Sequence, residues 1–239
     1  RDFCLSRGLG DVYKRQLTDR ELRVFQLDMK MNERGVKIDV DTAKNIARAA
    51  SEYMREMENR ALELTGGIKT SQRAAIMSWA ADQGYELENY QADYVAARAE
   101  DPEVPEIVRE VLSIRASLAK TSVTKYQKMI MCAGSGDRAR GMVQYCGAQR
   151  TKRFAGRLLQ VHNLPRGSVK RAHEIASMCR EFDLDDFKII FESPMEGFSS
   201  MIRSMVVADD GWVLFVTAFA NIEGRVLAWM ANEIYLIQL

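Results

Sequence analysis

An α+β architecture is expected for this chain: a mostly helical first half, then a region holding a small antiparallel sheet. Apolar residues recur every three or four positions through most of residues 18–131, the period of helices that bury one face. From Ala133 onward the composition changes, with Gly147, Gly156, Pro165 and Gly167 punctuating irregular backbone and β-prone runs at 142–146 and 212–219. At 239 residues, 47% hydrophobic and 28% charged, the chain can bury a core in one domain or in two subdomains sharing an interface.

Residues 1–16 have no initiator Met and no helical or strand period, so they are set apart from the fold as a non-native or disordered leader. Thr18 followed by Glu21 has capping-box spacing, and Leu22, Phe25, Met29 and the stop at Gly35 outline a first helix. Residues 36–40 read as a short extended link. Asp41 is then expected to cap a long helix with Ile46, Ala50, Tyr53, Met57, Ala61 and Leu64 on one face, until Gly66 and Gly67 end it. Ser71 is expected to cap a third helix that Gly84 stops, and residues 91–99 a fourth. After Pro102 and Pro105 a single helix is expected from Glu106 to about Met131, with Ile107, Val111, Ile114, Leu118 and Val123 facing inward. A subdomain boundary is placed near Ala133. Beyond it come a strand at 142–146, helices at 168–180 and 194–207, a strand at 212–219 and a last helix at 221–231.

The 34 basic and 33 acidic residues leave a net charge of +1, so overall charge selects neither nucleic acid nor membrane as a partner. Their distribution is more telling. No Asp or Glu occurs between Arg138 and His173, a span that holds Arg138, Arg140, Arg150, Lys152, Arg153, Arg157, Arg166, Lys170 and Arg171. With glycines that let backbone approach a ligand and the amides of Gln160 and Asn163, this island suits phosphate positioning and groove contact; a solvated face balanced by acidic helices elsewhere would look the same. His162 and His173 lie inside it without a partner at metal-ligand spacing, and are read as structural or DNA-proximal.

Arg115, Lys120, Lys125 and Tyr126 fall toward the end of the long helix, where basic side chains suit the helix dipole. Glu223 and Arg225 fall on the first turn of the last helix, either as a capping Glu with a surface Arg or as a pair that faces a ligand. Cys4, Cys132, Cys146 and Cys179 form no close pair, which fits a reducing cytoplasm. The longest apolar stretch, around 212–220, is about half the ~20 residues that span a bilayer, so no membrane partner is expected.

Residues 218–225, Ala218-Phe219-Ala220-Asn221-Ile222-Glu223-Gly224-Arg225, are similar to motif A of family A DNA polymerases, whose pattern is Asp, aromatic, Ser, any residue, Ile, Glu, a small or apolar residue, Arg. Residues 115–126 (RASLAKTSVTKY) resemble the basic helix that links thumb to palm in that family. Residues 153–165 (RFAGRLLQVHNLP) resemble the segment where a Gly-Arg pair is followed by Gln, Asn and Pro, and residues 31–39 (MNERGVKID) the opening of the thumb. The likeness runs from Leu17 to about Glu233 and fits the phage-like branch best.

This resemblance implies a helical thumb at 17–132 and a partial palm at 133–239. It also implies a parent enzyme that adds deoxynucleotides to a primer 3′ end by two-metal phosphoryl transfer with Mg2+. Primer-template DNA and deoxynucleoside triphosphates are the implied partners. Arg157 would contact the minor groove at the primer terminus with Gln160 and Asn163 beside it, while Lys120, Thr121, Lys125 and Tyr126 would lie along the nucleic-acid backbone, on the helix that carries Arg115. Arg203 and Arg225 would support the palm near the incoming nucleotide or the primer-template. Glu223 would block a ribose 2′-hydroxyl.

The Phe219 carbonyl would reach a metal ion. Ala218, however, stands where the family has the Asp that binds both ions, and a methyl group cannot bind magnesium. The nucleotide-binding fingers helix and the second catalytic carboxylate of the family would lie past Leu239. The chain is therefore expected to be a DNA-binding fragment that does not polymerise alone, with an open sheet edge that favours self-association. The alternatives are a non-catalytic primer-template-binding module and a helical scaffold with no nucleic-acid role.

Overall fold

A computed structural model describes residues 17–148, 150–217 and 220–233, and the expected α+β architecture is present. The leader at 1–16 and the last six residues, 234–239, lie outside the described residues. Helix α1 (Asp19–Arg34) starts on a complete capping box: Thr18 Oγ1 accepts from the Glu21 N–H at 3.3 Å, and the Glu21 carboxylate accepts from the Thr18 N–H at 3.0 Å. It stops at Gly35, where φ is 68° and a Cβ would lie 2.6 Å from the Ala139 carbonyl oxygen, so only glycine fits.

The extended link expected at 36–40 is more than a link. Strand β1 (Val36–Ile38) is the middle of a three-stranded antiparallel sheet, flanked by β2 (Arg138–Ala139) and β5 (Val206–Val207), with Val36 opposite Ala139 and Ile38 opposite Val206. The chain passes directly from β1 into helix α2 (Val40–Thr65). Its cap is Asp39 rather than the expected Asp41: Asp39 Oδ1 accepts from the Thr42 N–H at 3.1 Å. Gly66, in the left-handed region, ends α2 as anticipated.

Helices α3 (Arg73–Asp82), α4 (Ala92–Ala99) and α5 (Glu106–Leu118) enclose one apolar cluster, centred on Ile76, Trp79, Val95, Val108, Val111 and Leu112. Gln72, not Ser71, occupies the cap of α3, and it makes no side-chain capping bond. The single helix expected over 106–131 is broken. After α5 come a 3-10 turn (Thr121–Val123) and helix α6 (Thr124–Cys132). The two halves serve different cores, since Val108 and Val111 belong to this cluster while Tyr126 and Met129 belong to the other. The break lets one sequence repeat face both.

That other, larger core packs α2 and α6 against α7 (Ala172–Met178), α8 (Leu184–Ile190) and α9 (Pro194–Met201). Phe187 lies edge-on to Phe198 at 5.1 Å and to Phe182 at 5.7 Å, and each buried Phe contributes about 1.5–3 kcal/mol of transfer free energy. The helix expected at 168–180 shortens to α7 because the Ser168 and Val169 N–H groups donate instead to Ser200 Oγ, at 3.1 and 3.2 Å. The helix expected at 194–207 tightens after α9 into a 3-10 turn (Ile202–Met205) and then enters β5. Elements from both sides of Ala133 share this core, and the described residues up to Val207 form one compact unit.

A second, two-stranded sheet pairs β3 (Val143–Gln144) with β4 (Ala155–Gly156), shorter than the strand expected at 142–146. Asn32 of α1 ties it down as a strand would: its Nδ2 donates to the Val143 carbonyl at 2.8 Å and its Oδ1 accepts from the Val143 N–H at 3.0 Å.

Residues from Ala208 onward form a separate unit. After the turn at 209–211, residues 212–217, expected as a strand, have no strand pairing among the described residues and stand in solvent, with Trp212 76% and Val216 94% exposed. A strand needs a neighbour for its backbone groups, and no described segment supplies one. Helix α10 (Ile222–Met230) follows Asn221, whose φ is 48°.

Candidate nucleic-acid interface

The cations of the 138–173 island divide by what they touch. Arg138 Nε donates to the Arg34 carbonyl at 2.7 Å and Arg140 Nε to the Glu33 carbonyl at 2.9 Å. Both thereby satisfy carbonyls left open at the end of α1. Arg171 pairs with Glu174. These three hold the fold. By contrast Arg150, Lys152, Arg157, Arg166 and Lys170 are exposed and make no ion pair with a described residue. Charges in that state attract phosphate, because no described carboxylate competes for them.

The backbone that carries them is unusual in a second way. Cys146 (φ 49°), Lys152 (56°), Leu158 (51°), Gln160 (53°) and Arg171 (59°) all sit in the left-handed region. Each costs roughly 1–2 kcal/mol for a residue with a Cβ. At Leu158 the strained residue is also apolar and 61% exposed, while Leu159 beside it is fully buried. Reversing the backbone at alternate positions thus anchors Leu159 inside and turns Arg157, Leu158 and Gln160 outward.

Consecutive turns then bring the expected binding residues together. The Gln160 N–H donates to the Arg157 carbonyl at 3.0 Å and the Asn163 N–H to the Gln160 carbonyl at 2.8 Å, while the Arg157 N–H is fixed to the Met142 carbonyl at 2.8 Å. Asn163 and Gln160 side chains meet at 3.4 Å. The loop is clamped at both ends. Lys125 Nζ reaches from α6 to the Leu159 carbonyl at 3.2 Å, and Arg203 donates to the Pro165 and Leu164 carbonyls at 2.8 Å each. Lys125 and Arg203 therefore position the loop that carries Arg157.

The other expected residues lie elsewhere. Tyr126 is fully buried and donates its hydroxyl to the Phe198 carbonyl at 2.6 Å; burial pushes that hydroxyl well above the usual phenol range. It faces the core, not solvent. The Arg115 guanidinium lies over the Tyr90 ring, 5.6 Å from its centroid, against the α3–α5 cluster. Lys120, with Ala47, Met54 and Val123, lines a cavity of about 180 Å³ at the break between α5 and α6, beside Thr121 in the 3-10 turn. Glu223 and Arg225 belong to the separate unit, two positions apart on α10 and so on different faces of the helix. Ala218 and Phe219 lie outside the described residues. Among the described residues no three His, Cys, Asp or Glu side chains cluster so as to hold a metal ion.

Two contributors went unread in the sequence. Asn32 tethers the β3–β4 sheet, and Ser200 anchors the loop at 168–169. A polar residue one turn before Gly35 was the available signal for Asn32; Ser200 had none.

No family model matches the chain, and no solved structure does. Over 222 residues, 93% of its length, it is 30% identical to a protein named DNA polymerase from Bacillus phage SP02. The likeness relates the chain to a phage DNA polymerase, of which it spans 34% of the length. No described helix is long and apolar enough to cross a membrane.

Proposed function

We propose that this chain is the thumb and part of the palm of a family A DNA polymerase of the phage-like branch, and that its loops between residues 150 and 170 hold primer-template DNA. The observation that carries this reading is the set of five exposed cations, Arg150, Lys152, Arg157, Arg166 and Lys170, without ion pairs among the described residues, on strained loops of a polymerase-related chain. Glycine-bounded turns and outward amides at Gln160 and Asn163 give that charge the means to sit against a groove edge. The intact parent would add deoxynucleotides to a primer end, with Glu223 and Arg225 near the incoming nucleotide.

Two Mg2+ ions would supply charge stabilisation in the parent's reaction, but the residue at the position of the family's metal-binding Asp does not fit them. Ala218 offers no side-chain oxygen in place of the family's carboxylate, so this chain binds DNA without extending it. The same residue favours a second reading, a polymerase-derived module whose work is binding alone. The two part on primer extension by a longer chain with Asp at 218: extension supports the first and its absence the second.

Equilibrium binding of a primer-template duplex across a salt series tests the shared claim. Five phosphate contacts give a slope of about −4 to −5 in log K against log salt, a loss of roughly 10²–10³ between 50 and 200 mM. Arg157→Ala should weaken binding about fivefold to tenfold and make the slope shallower by about 1. A folded chain that binds without salt dependence, or does not bind, overturns the proposal.

A further inference from the structure

We infer that His162 is a protonation-dependent contact to the DNA backbone, adding to the grip of Arg157 as pH falls; the inference rests on the DNA-binding reading above. His162 stands in the 3-10 turn Val161–Asn163, and its ring is seated directly on Gly156. A Cβ built on Gly156 would lie 2.0 Å from its Cε1, 2.8 Å from Nδ1 and 3.0 Å from Nε2, so the ring occupies the space that any other residue at 156 would fill. Steric fit holds it there, since neither nitrogen hydrogen-bonds to a described residue and the side chain is exposed.

Gly156 immediately precedes Arg157, so the imidazole lies beside the first residue of the clamped loop. The charged residues nearest to it along the chain are cations, Arg153 and Arg157 flanking β4 and Arg166 beyond Pro165. No carboxylate occurs between Arg138 and His173, so nothing anionic in these segments competes with a phosphate for a protonated imidazole. Imidazoles change charge between about pH 5 and 8, and an opposite charge within hydrogen-bonding reach favours the charged form. Docking of a phosphate therefore favours the protonated imidazole and is favoured by it. The second histidine is separable, because His173 lies in α7, 3.9 Å from the Glu174 carboxylate.

The test is duplex binding by the 239-residue chain at fixed salt. The wild type should bind roughly fivefold tighter near pH 6 than near pH 8. His173→Gln keeps that ratio, His162→Gln abolishes it, and His162→Arg binds at the tighter level at both pH values. If His162→Gln retains the ratio, or His162→Arg binds no better than His162→Gln, the inference is overturned. Salt-dependent binding by the wild type with no pH dependence overturns it alone, whereas no binding at either pH removes it together with the proposed function.

Discussion

Tyr126 carries a hydroxyl into the larger core and uses it for one bond, to the Phe198 carbonyl at 2.6 Å. Its place in a basic, polymerase-like helix pointed to the nucleic-acid backbone, yet its side chain joins α6 to α9. Tyr126→Phe should lower stability by about 1 kcal/mol in urea unfolding, the net value of such a bond, and move DNA affinity less than twofold. A large affinity loss with unchanged stability would return Tyr126 to the DNA surface. Arg157, Gln160 and Asn163, singled out through the family resemblance, lie together because the turns that gather them are local. The division of labour among the cations could not, since Arg138 and Arg140 are answered by carbonyls at residues 33–35, far along the chain, and charge in a sequence does not reveal its partner.

Among the elements, α8 was missed although its start is written plainly. Asp183 and Asp186 form a reciprocal capping box, with bonds of 2.9 and 3.0 Å, ahead of the buried Leu184 and Phe187. An Asp in place of the more usual Glu at the third position, on a helix of two turns, hid the pattern. Asp183→Ala should cost about 1 kcal/mol, because α8 delivers Phe187 to the core and cannot fray without exposing it; a neutral effect on the urea midpoint would show that packing alone holds the helix. The break between α5 and α6 was illegible for the opposite reason. Apolar spacing runs on across Ala119 and Lys120, and only the existence of two cores explains why the chain must turn there. Strand β1 depends likewise on partners at 138–139 and 206–207, whereas the β-prone run at 212–217 has the right residues and no described partner.

The compact unit that ends at Val207 is built from two apolar clusters, and each contains acids that burial keeps neutral. In the larger, Cys179 is fully buried, donates its thiol to the Ile175 carbonyl at 3.0 Å, and is pushed up to about 12 by burial, as Tyr126 is pushed upward. In the smaller, burial likewise raises Tyr90 to about 12 while its hydroxyl donates to the Thr70 carbonyl at 2.9 Å. A raised acid is fully stabilising below its unfolded value and loses that contribution as pH climbs toward its folded value. An unfolded thiol ionises near ~8.5 and an unfolded phenol near ~10, and each pH unit beyond that is worth about 1.4 kcal/mol. Stability should therefore be level through neutral pH, fall by about 2 kcal/mol from Cys179 by pH ~10, and fall more steeply once the tyrosines join. Urea unfolding of the wild type beside Cys179→Ala separates the stages: the variant should lose the decline between about pH 8.5 and 10 and keep the steeper one above it. A variant that declines with the wild type would mean that the thiol does not stay neutral in the core. Because α2 runs through both clusters, fluorescence of Trp79 and alkylation of Cys179 should report one transition at every pH; separate midpoints would show that the cluster beyond the α5–α6 break unfolds on its own.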